Sequence, residues 1–422
     1  MPEVKEVEEP ASAIPLPSDL GDERLIQNEG AGDYVRAFVQ RIRGGDLGSL
    51  PVVVGLIAIC LGFYVKDPSF LSSYQVVSMF QFAAPVGIIA LGIVLVLLVG
   101  EIDLSVGSVS GLAGASMAVL FVYHGQPMFV SLLAGIGVGV AIGLLYAVLY
   151  TRVGVPSFVI SLAGLLAFQG AMLAVLGKDG TVNISKTSPI AKFARNEFVT
   201  GTAGYVMVTV IGAIYLAGML YGRSRRVSAG LSVGPMVFPV IKAVLLFALL
   251  VLITWWINID RGWSYLWLTF VLLVVLMDLA LRRTGWGRHL FAVGGNEEAA
   301  RRSGIKVDRV YISVFVLCST LASLGGILAA GQSTAVTQST GTTDTNLTAI
   351  AAAAIGGTSL FGGRGSAYSA MLGILVLQAI QTGLNTIGVA PEIRFMVTGA
   401  VLLLAVAIDS LSRRARSSSG RG

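Results

Sequence analysis

Cysteine, histidine and charge are all scarce in this sequence. Its two cysteines, Cys60 and Cys318, lie in separate apolar stretches, which leaves no disulfide framework and no metal-ligand spacing; both read as packing residues. The two histidines, His124 and His289, fall in connecting segments with no ligand partner nearby. No nucleophile–base pair and no metal constellation can be assembled, so no catalytic residue, metal or cofactor is expected. A phosphate loop needs Gly-x-x-x-x-Gly-Lys-Ser/Thr, and that pattern is absent. The chain therefore has no nucleotide-binding engine of its own. Charged residues make up 12%, where a soluble chain carries about 25%.

What is present is apolar. Hydrophobic residues reach 55% and mean hydropathy is +0.81. Runs of about 20 apolar residues are long enough to cross a bilayer. Candidate spans lie at 50–65, 74–99, 104–122, 129–150, 157–176, 203–221, 236–257, 263–281, 309–331, 346–361, 367–386 and 393–410. The expected fold is an all-α polytopic membrane bundle of about twelve helices. Arginines flank the spans on alternate sides, at Arg152, Arg223, Arg225, Arg226, Arg282 to Arg309, Arg364 and Arg413 to Arg416. That bias places both termini in the cytosol. It also accounts for the formal net charge of +6 without a nucleic-acid partner. One loop runs against the bias: 177–202, with Lys178, Lys186, Lys192 and Arg195.

Three domains are expected. Residues 1–46 hold Glu3, Glu6, Glu8, Glu9, Asp19, Asp22, Glu23 and Glu29 with no apolar run, which predicts a disordered acidic cytosolic tail. They lack the basic and apolar regions of a signal peptide. Residues 47–412 form the membrane domain, and 413–422 a basic cytosolic tail. Small residues recur every four positions at Gly107, Gly111 and Ala115, and again at Gly135, Gly139 and Gly143. That spacing lets helix backbones approach closely in lipid.

Three segments interrupt the apolar pattern. Gly294 to Ile305 predicts a helix of about two turns, with Asn296 as N-cap, Glu297 and Glu298 in the first turn, Arg301 and Arg302 four residues on, and Gly304 as the stop. A solvated connector is the plain reading. Ala299 and Ala300, flanked by Ser303 and Gly304, are small enough to seat against a partner. Gly100 to Ser108 separates two spans with almost no loop. Here Asp103 fits an N-cap for the following helix, and the alternative is a broken helix lining a translocation path with Glu101, Asp103 and Ser105. A proton relay through Glu101 or Asp103 is a third reading. Ile355 to Gly365 is too rich in glycine for a stable helix and predicts a tight turn. Gln169, Asn346, Gln378, Gln381 and Asn385 are polar positions within spans. They serve either as interhelical hydrogen-bond glue or as the lining of a hydrated path.

Together these segments resemble the permease subunits of ATP-driven sugar importers of the ribose/xylose type. Gly100–Ser108 is close to that family's Gly-Gly-Ile-Asp-Leu-Ser-Val-Gly-Ser signature, and Phe291–Ile305 and Ile355–Gly365 follow in the family's order. The similarity runs from about residue 70 to 412. It implies that 282–308 is the coupling loop docking on a separate ATPase subunit, with Asn296, Glu297, Glu298, Ala299, Ala300, Ser303 and Gly304 at the contact. It also implies an extracytoplasmic sugar-binding protein and a homodimer of permease subunits in the lipid bilayer. Two departures stand out. Glu101 occupies a position where ribose-type members commonly have glycine. The 203–260 block is extra, as in xylose-type members, which inclines the solute toward xylose or a related monosaccharide. The alternatives are a branched-chain amino acid permease and a self-contained secondary transporter, although the latter lacks a deep acidic ion site. A membrane enzyme has no catalytic group to support it.

Overall fold

The computed structural model describes residues 50–231, 233, 236–394, 396–401, 403 and 407. The acidic segment 1–46 and the basic segment 413–422 lie outside the described residues. The described residues are helical with two minimal strand pairs. Two 17-residue helices, α1 (Leu50–Lys66) and α3 (Val106–Val122), flank the central 26-residue α2 (Ser73–Leu98). Then come α4 (Met128–Val148), which runs on as a π-helical turn to Val153, and α5 (Ser157–Leu176). Next are α6 (Gly201–Ser228), α7 (Val237–Ile257) and α8 (Tyr265–Arg283). Two short helices, α9 (Gly285–Gly295) and α10 (Glu297–Arg302), precede the long α11 (Val307–Ser333). The chain continues through α12 (Thr343–Ile355) and α13 (Ala367–Thr386).

Among the described residues, eight helices are long and apolar enough to cross a membrane: α2, α4 with its extension, α5, α6, α7, α8, α11 and α13. The architecture is that of an all-α polytopic membrane protein. The apolar α1 and α3 are shorter. The stretch expected to span at 346–361 is helical only as far as Ile355, because Gly356 and Gly357 follow and the chain turns. The stretch at 393–410 is described only in part, and is helical where described.

The chain divides into two compact units. Residues Thr202–Trp255, from α6 and α7, form one. Within it, Gly212 leaves room for the Phe247 ring, since a Cβ there would lie 2.8 Å from the ring's Cδ2. The other described residues form the second unit, built around α2 and α11. Helix α2 is nearly all buried, and α11 packs most extensively on α4, α2 and α3.

The glycine stripes make these contacts. A Cβ on Gly135 would lie 2.8 Å from Ile327 Cδ1, one on Gly139 2.5 Å from the Ser319 carbonyl, and one on Gly143 2.6 Å from Val316 Cα. All three partners are on α11, so α4 meets α11 backbone to backbone. Where hydrophobicity cannot hold two helices together in lipid, dispersion over such a close seam can. The α3 stripe seats the 340–341 turn instead: a Cβ on Gly107 would lie 2.8 Å from the Gly341 carbonyl, and one on Gly111 2.5 Å from the Thr340 carbonyl.

At the far end of α11, β1 (Thr181–Asn183) pairs antiparallel with β4 (Ala335–Thr337), with Val182 opposite Val336. A second pair joins β2 (Phe198–Val199) to β3 (Trp263–Ser264). The 177–202 connection is thus tied down twice.

Candidate functional site

Helix α10 is a short helix stabilised at both ends by its own sequence. Asn296 Oδ1 accepts from the Ala299 N–H at 2.9 Å. Arg301 reaches Glu297 at 2.9 Å and Arg302 reaches Glu298 at 2.8 Å, each four residues back. The hydrogen bond it donates to Glu297 holds the Arg301 guanidinium pKa above its ordinary value. The helix closes with Gly304 at φ 86°, with Gly304 N–H donating to the Arg301 carbonyl and Ile305 N–H to the Ala300 carbonyl, both at 3.1 Å. This is a Schellman stop, which satisfies the last carbonyls without a partner. Glu297, Glu298, Ala299, Ser303 and Gly304 are exposed. Ala300 is a correction to the expected outward-facing pair. It is only 4% exposed, because its side of the short helix is covered by the chain itself, so a docking partner meets Ala299 and not Ala300.

The three glycine-bearing segments, far apart in sequence, meet at this end of the second unit. Gly363 N–H donates to the Leu98 carbonyl at 2.9 Å. Gly294, near the end of α9, lies against the same carbonyl, and a Cβ there would also come within 2.8 Å of Gly363 N. Gly362 and Gly363, at φ 85° and 72°, turn the chain through the left-handed region that side chains rarely adopt, and so bring the turn against Gly294 and Gly100. The end of α2, the α9–α10 junction and the 356–365 turn therefore share one backbone-to-backbone contact.

Directly beyond it lies the α2–α3 break. Asp103 is buried at 1% exposure. The expectation that it caps α3 is corrected: α3 begins at Val106 with Ser105 in the cap position. Asp103 Oδ1 instead accepts from both the N–H and the hydroxyl of Ser105, at 2.8 and 2.7 Å. It folds the break on itself. Tyr146 donates to Ser105 Oγ at 2.7 Å, and the Cys318 thiol donates to Asp103 Oδ2 at 3.9 Å. Cys318 is thus more than filler. Glu101, half-buried, accepts from the Tyr150 hydroxyl at 2.7 Å through Oε1 and from the Ser157 hydroxyl through Oε2. One carboxylate joins the ends of α2, α4 and α5.

Of the polar positions within the helices, Asn346 is tied to this region. It is 2% exposed, and its Oδ1 accepts from the Gly107 N–H. Gln378 donates to Thr382 on its own helix at 3.2 Å, and Asn385 accepts from Arg394 at 3.0 Å. Both belong to α13 or its C-terminal end, as does the half-buried Gln381, whereas Gln169 is half-buried on α5. Glu101, Asp103, Ser105 and Asn346 are brought together around the start of α3. The glutamines and Asn385 are not shown to join them. Tyr146, Tyr150, Ser157 and Tyr311 were missed in the sequence. The available signal was the i,i+4 tyrosine pair, Tyr146 at the end of α4 and Tyr150 in its extension. Among the described residues, no group of three metal-binding side chains occurs.

The fold and this end region define a polytopic helical membrane protein with an exposed, self-capped helix at one end. The chain matches the family described as branched-chain amino acid transport system / permease component over residues 75–406. It is 34% identical over 368 residues to the xylose transport system permease protein of Escherichia coli strain K12, covering 86% of this chain and 92% of that protein. It is 30% identical over 365 residues to the ribose import permease protein of Bacillus subtilis strain 168, covering 86% and 94%. To the fructose import permease protein of Rhizobium meliloti it is 28% identical over 396 residues, covering 94% and 91%. No solved structure matches. The chain belongs to this permease family, within the ribose/xylose-type permeases of ATP-binding-cassette importers, and is a multi-pass protein of the inner membrane.

Proposed function

We propose that this chain is the membrane permease of a sugar importer, forming the path for a monosaccharide, with xylose or a related sugar as its solute. A separate ATPase docks on the 282–308 segment, an extracytoplasmic binding protein delivers the sugar, and two permease subunits assemble. About twelve spans with both termini in the cytosol put α9 and α10 on the ATPase side. The observation that carries the reading is the shared contact at Leu98, Gly294 and Gly363. It fixes an exposed, self-capped helix to the end of the buried central helix α2. A rigid handle on a core element suits transmission of force from a docked motor. The similarity to xylose, ribose and fructose permeases supports a sugar as solute over a branched-chain amino acid, despite the family's description.

The test is co-purification of a tagged chain from native membranes, followed by reconstitution with whatever ATPase and binding protein are recovered. ATP-dependent uptake of xylose, with leucine excluded, is the expected result. Ion-driven accumulation by the chain alone, or leucine uptake in place of sugar, refutes the proposal.

A further inference from the structure

Glu297 makes a second contact that the cap and ion pairs do not need. Its Oε1 is occupied by Arg301, while its Oε2 accepts from the Tyr311 hydroxyl at 3.2 Å. Tyr311 is near the start of α11 and only 4% exposed. Its ring lies 4.6 Å from that of Tyr150, centroid to centroid, at 54°. Tyr150 lies in the π-helical extension of α4 and donates to Glu101. Glu101 is held by two hydroxyls, those of Tyr150 and Ser157, and forms no ion pair among the described residues. An unbroken series of contacts therefore runs from the surface helix α10, through two tilted tyrosine rings in contact, to the carboxylate that joins three helix ends.

We propose that Tyr311 and Tyr150 are positioning residues that carry displacement of α10 to the α2–α3 break, through Glu297 at one end and Glu101 at the other. This rests on the reading that α10 docks the ATPase. Three physical points support it. A hydroxyl gripping a carboxylate can shift its partner and re-form the bond within a rotamer, whereas a packed methyl cannot. The Tyr150 ring is backed by Phe315 at 5.4 Å and Tyr311 is buried, so motion at the hydroxyl end passes between the rings instead of being absorbed. And Glu101 stands where a glycine would leave nothing for Tyr150 to hold. The tyrosine and the acid make sense as a pair.

The test uses the whole transporter, with permease, ATPase and binding protein in lipid nanodiscs and proteoliposomes. Tyr311→Phe and Tyr150→Phe keep the rings and remove only the hydroxyls. Three quantities are read: ATPase co-purified per permease, ATP hydrolysis with and without sugar-loaded binding protein, and sugar moved per ATP. In both variants the ATPase should co-purify at the wild-type level. The rise in hydrolysis caused by loaded binding protein should fall roughly tenfold, the scale of one hydrogen bond to a charged group, and sugar moved per ATP should fall with it. A merely structural role lowers abundance and leaves both ratios unchanged, and that result overturns the proposal. Unchanged values throughout overturn it as well. Failure of the wild-type chain to retain any ATPase would instead overturn the docking reading on which it rests.

Discussion

Gly294 and Gly295 are adjacent, chemically identical and in the last turn of α9, yet they should respond oppositely to the same substitution. A Cβ at Gly295 meets nothing within 4 Å. Gly295→Ala should therefore be neutral, or stabilising by up to about 1 kcal/mol through helix propensity, less at a helix end. At Gly294 the added methyl would press on the Leu98 carbonyl, 2.9 Å from its carbon and 2.8 Å from Gly363 N. Both neighbours are backbone, so neither can swing aside. Overpacking of this kind costs about 1–3 kcal/mol. Separating the strands of chain also strains the hydrogen bond from Gly363 N–H to Leu98 O, which contributes about 1 kcal/mol. Set against the propensity gain, Gly294→Ala should lose about 2 kcal/mol, a fall in Tm of about 2 °C for a chain of this size. Thermal unfolding of both variants in detergent, followed by fluorescence-detected size exclusion, reads the difference. ATPase retention should fall for Gly294→Ala alone. Equal midpoints for the two variants would refute the claim that the three segments meet where they do.

Two further outcomes follow from exposure and topology. Ala299→Trp should leave membrane abundance near wild type while preventing ATPase pull-down, because Ala299 is exposed on α10; Ala300→Trp should lower abundance, because Ala300 is buried. The reverse pattern in a quantitative immunoblot and pull-down would sink the docking assignment. Cysteines placed one at a time at the exposed Ser224 and Ser339 should differ in intact cells: Ser339→Cys reacts with an impermeant thiol reagent and Ser224→Cys does not, and external labelling at position 224 contradicts the proposed orientation.

The features legible in the sequence are those set by local chemistry. The α10 caps, its ion pairs and its glycine stop are written within nine consecutive residues, and the structure forms each of them. The glycine stripes were legible as packing faces because their spacing depends on one helix alone. Their partners were not, since α11 lies more than a hundred and fifty residues beyond α4. The β1–β4 and β2–β3 pairs left no trace, because strands of two or three residues have no readable alternation and depend on a distant partner. Asp103 was misplaced for a related reason. A cap and an Asx-type turn use the same residue two positions apart, and only the tertiary contacts of Ser105 with Tyr146 decide between them. Of the tyrosine series only the i,i+4 spacing of Tyr146 and Tyr150 was readable; that Tyr150 meets Tyr311 was not, because each looks, in its own segment, like an ordinary aromatic at the end of a span.

Helix α2 has a consequence for how the protein is made. It is enclosed on nearly every side in the finished unit, yet one of its main neighbours, α11, is synthesised roughly two hundred residues later. At ordinary rates of about 5–20 residues per second, that is a wait of roughly 10–40 seconds. During that time α2 has only lipid to bury it on the sides that α11 and α13 will cover. Its polar side chains fitted to later neighbours, Ser78 and Gln81, are confined to its first third. The part of α2 from Phe82 to Leu98 suits that wait, since it carries no charged residue and no polar side chain. Its sequence is suited to its biogenesis as much as to its final place.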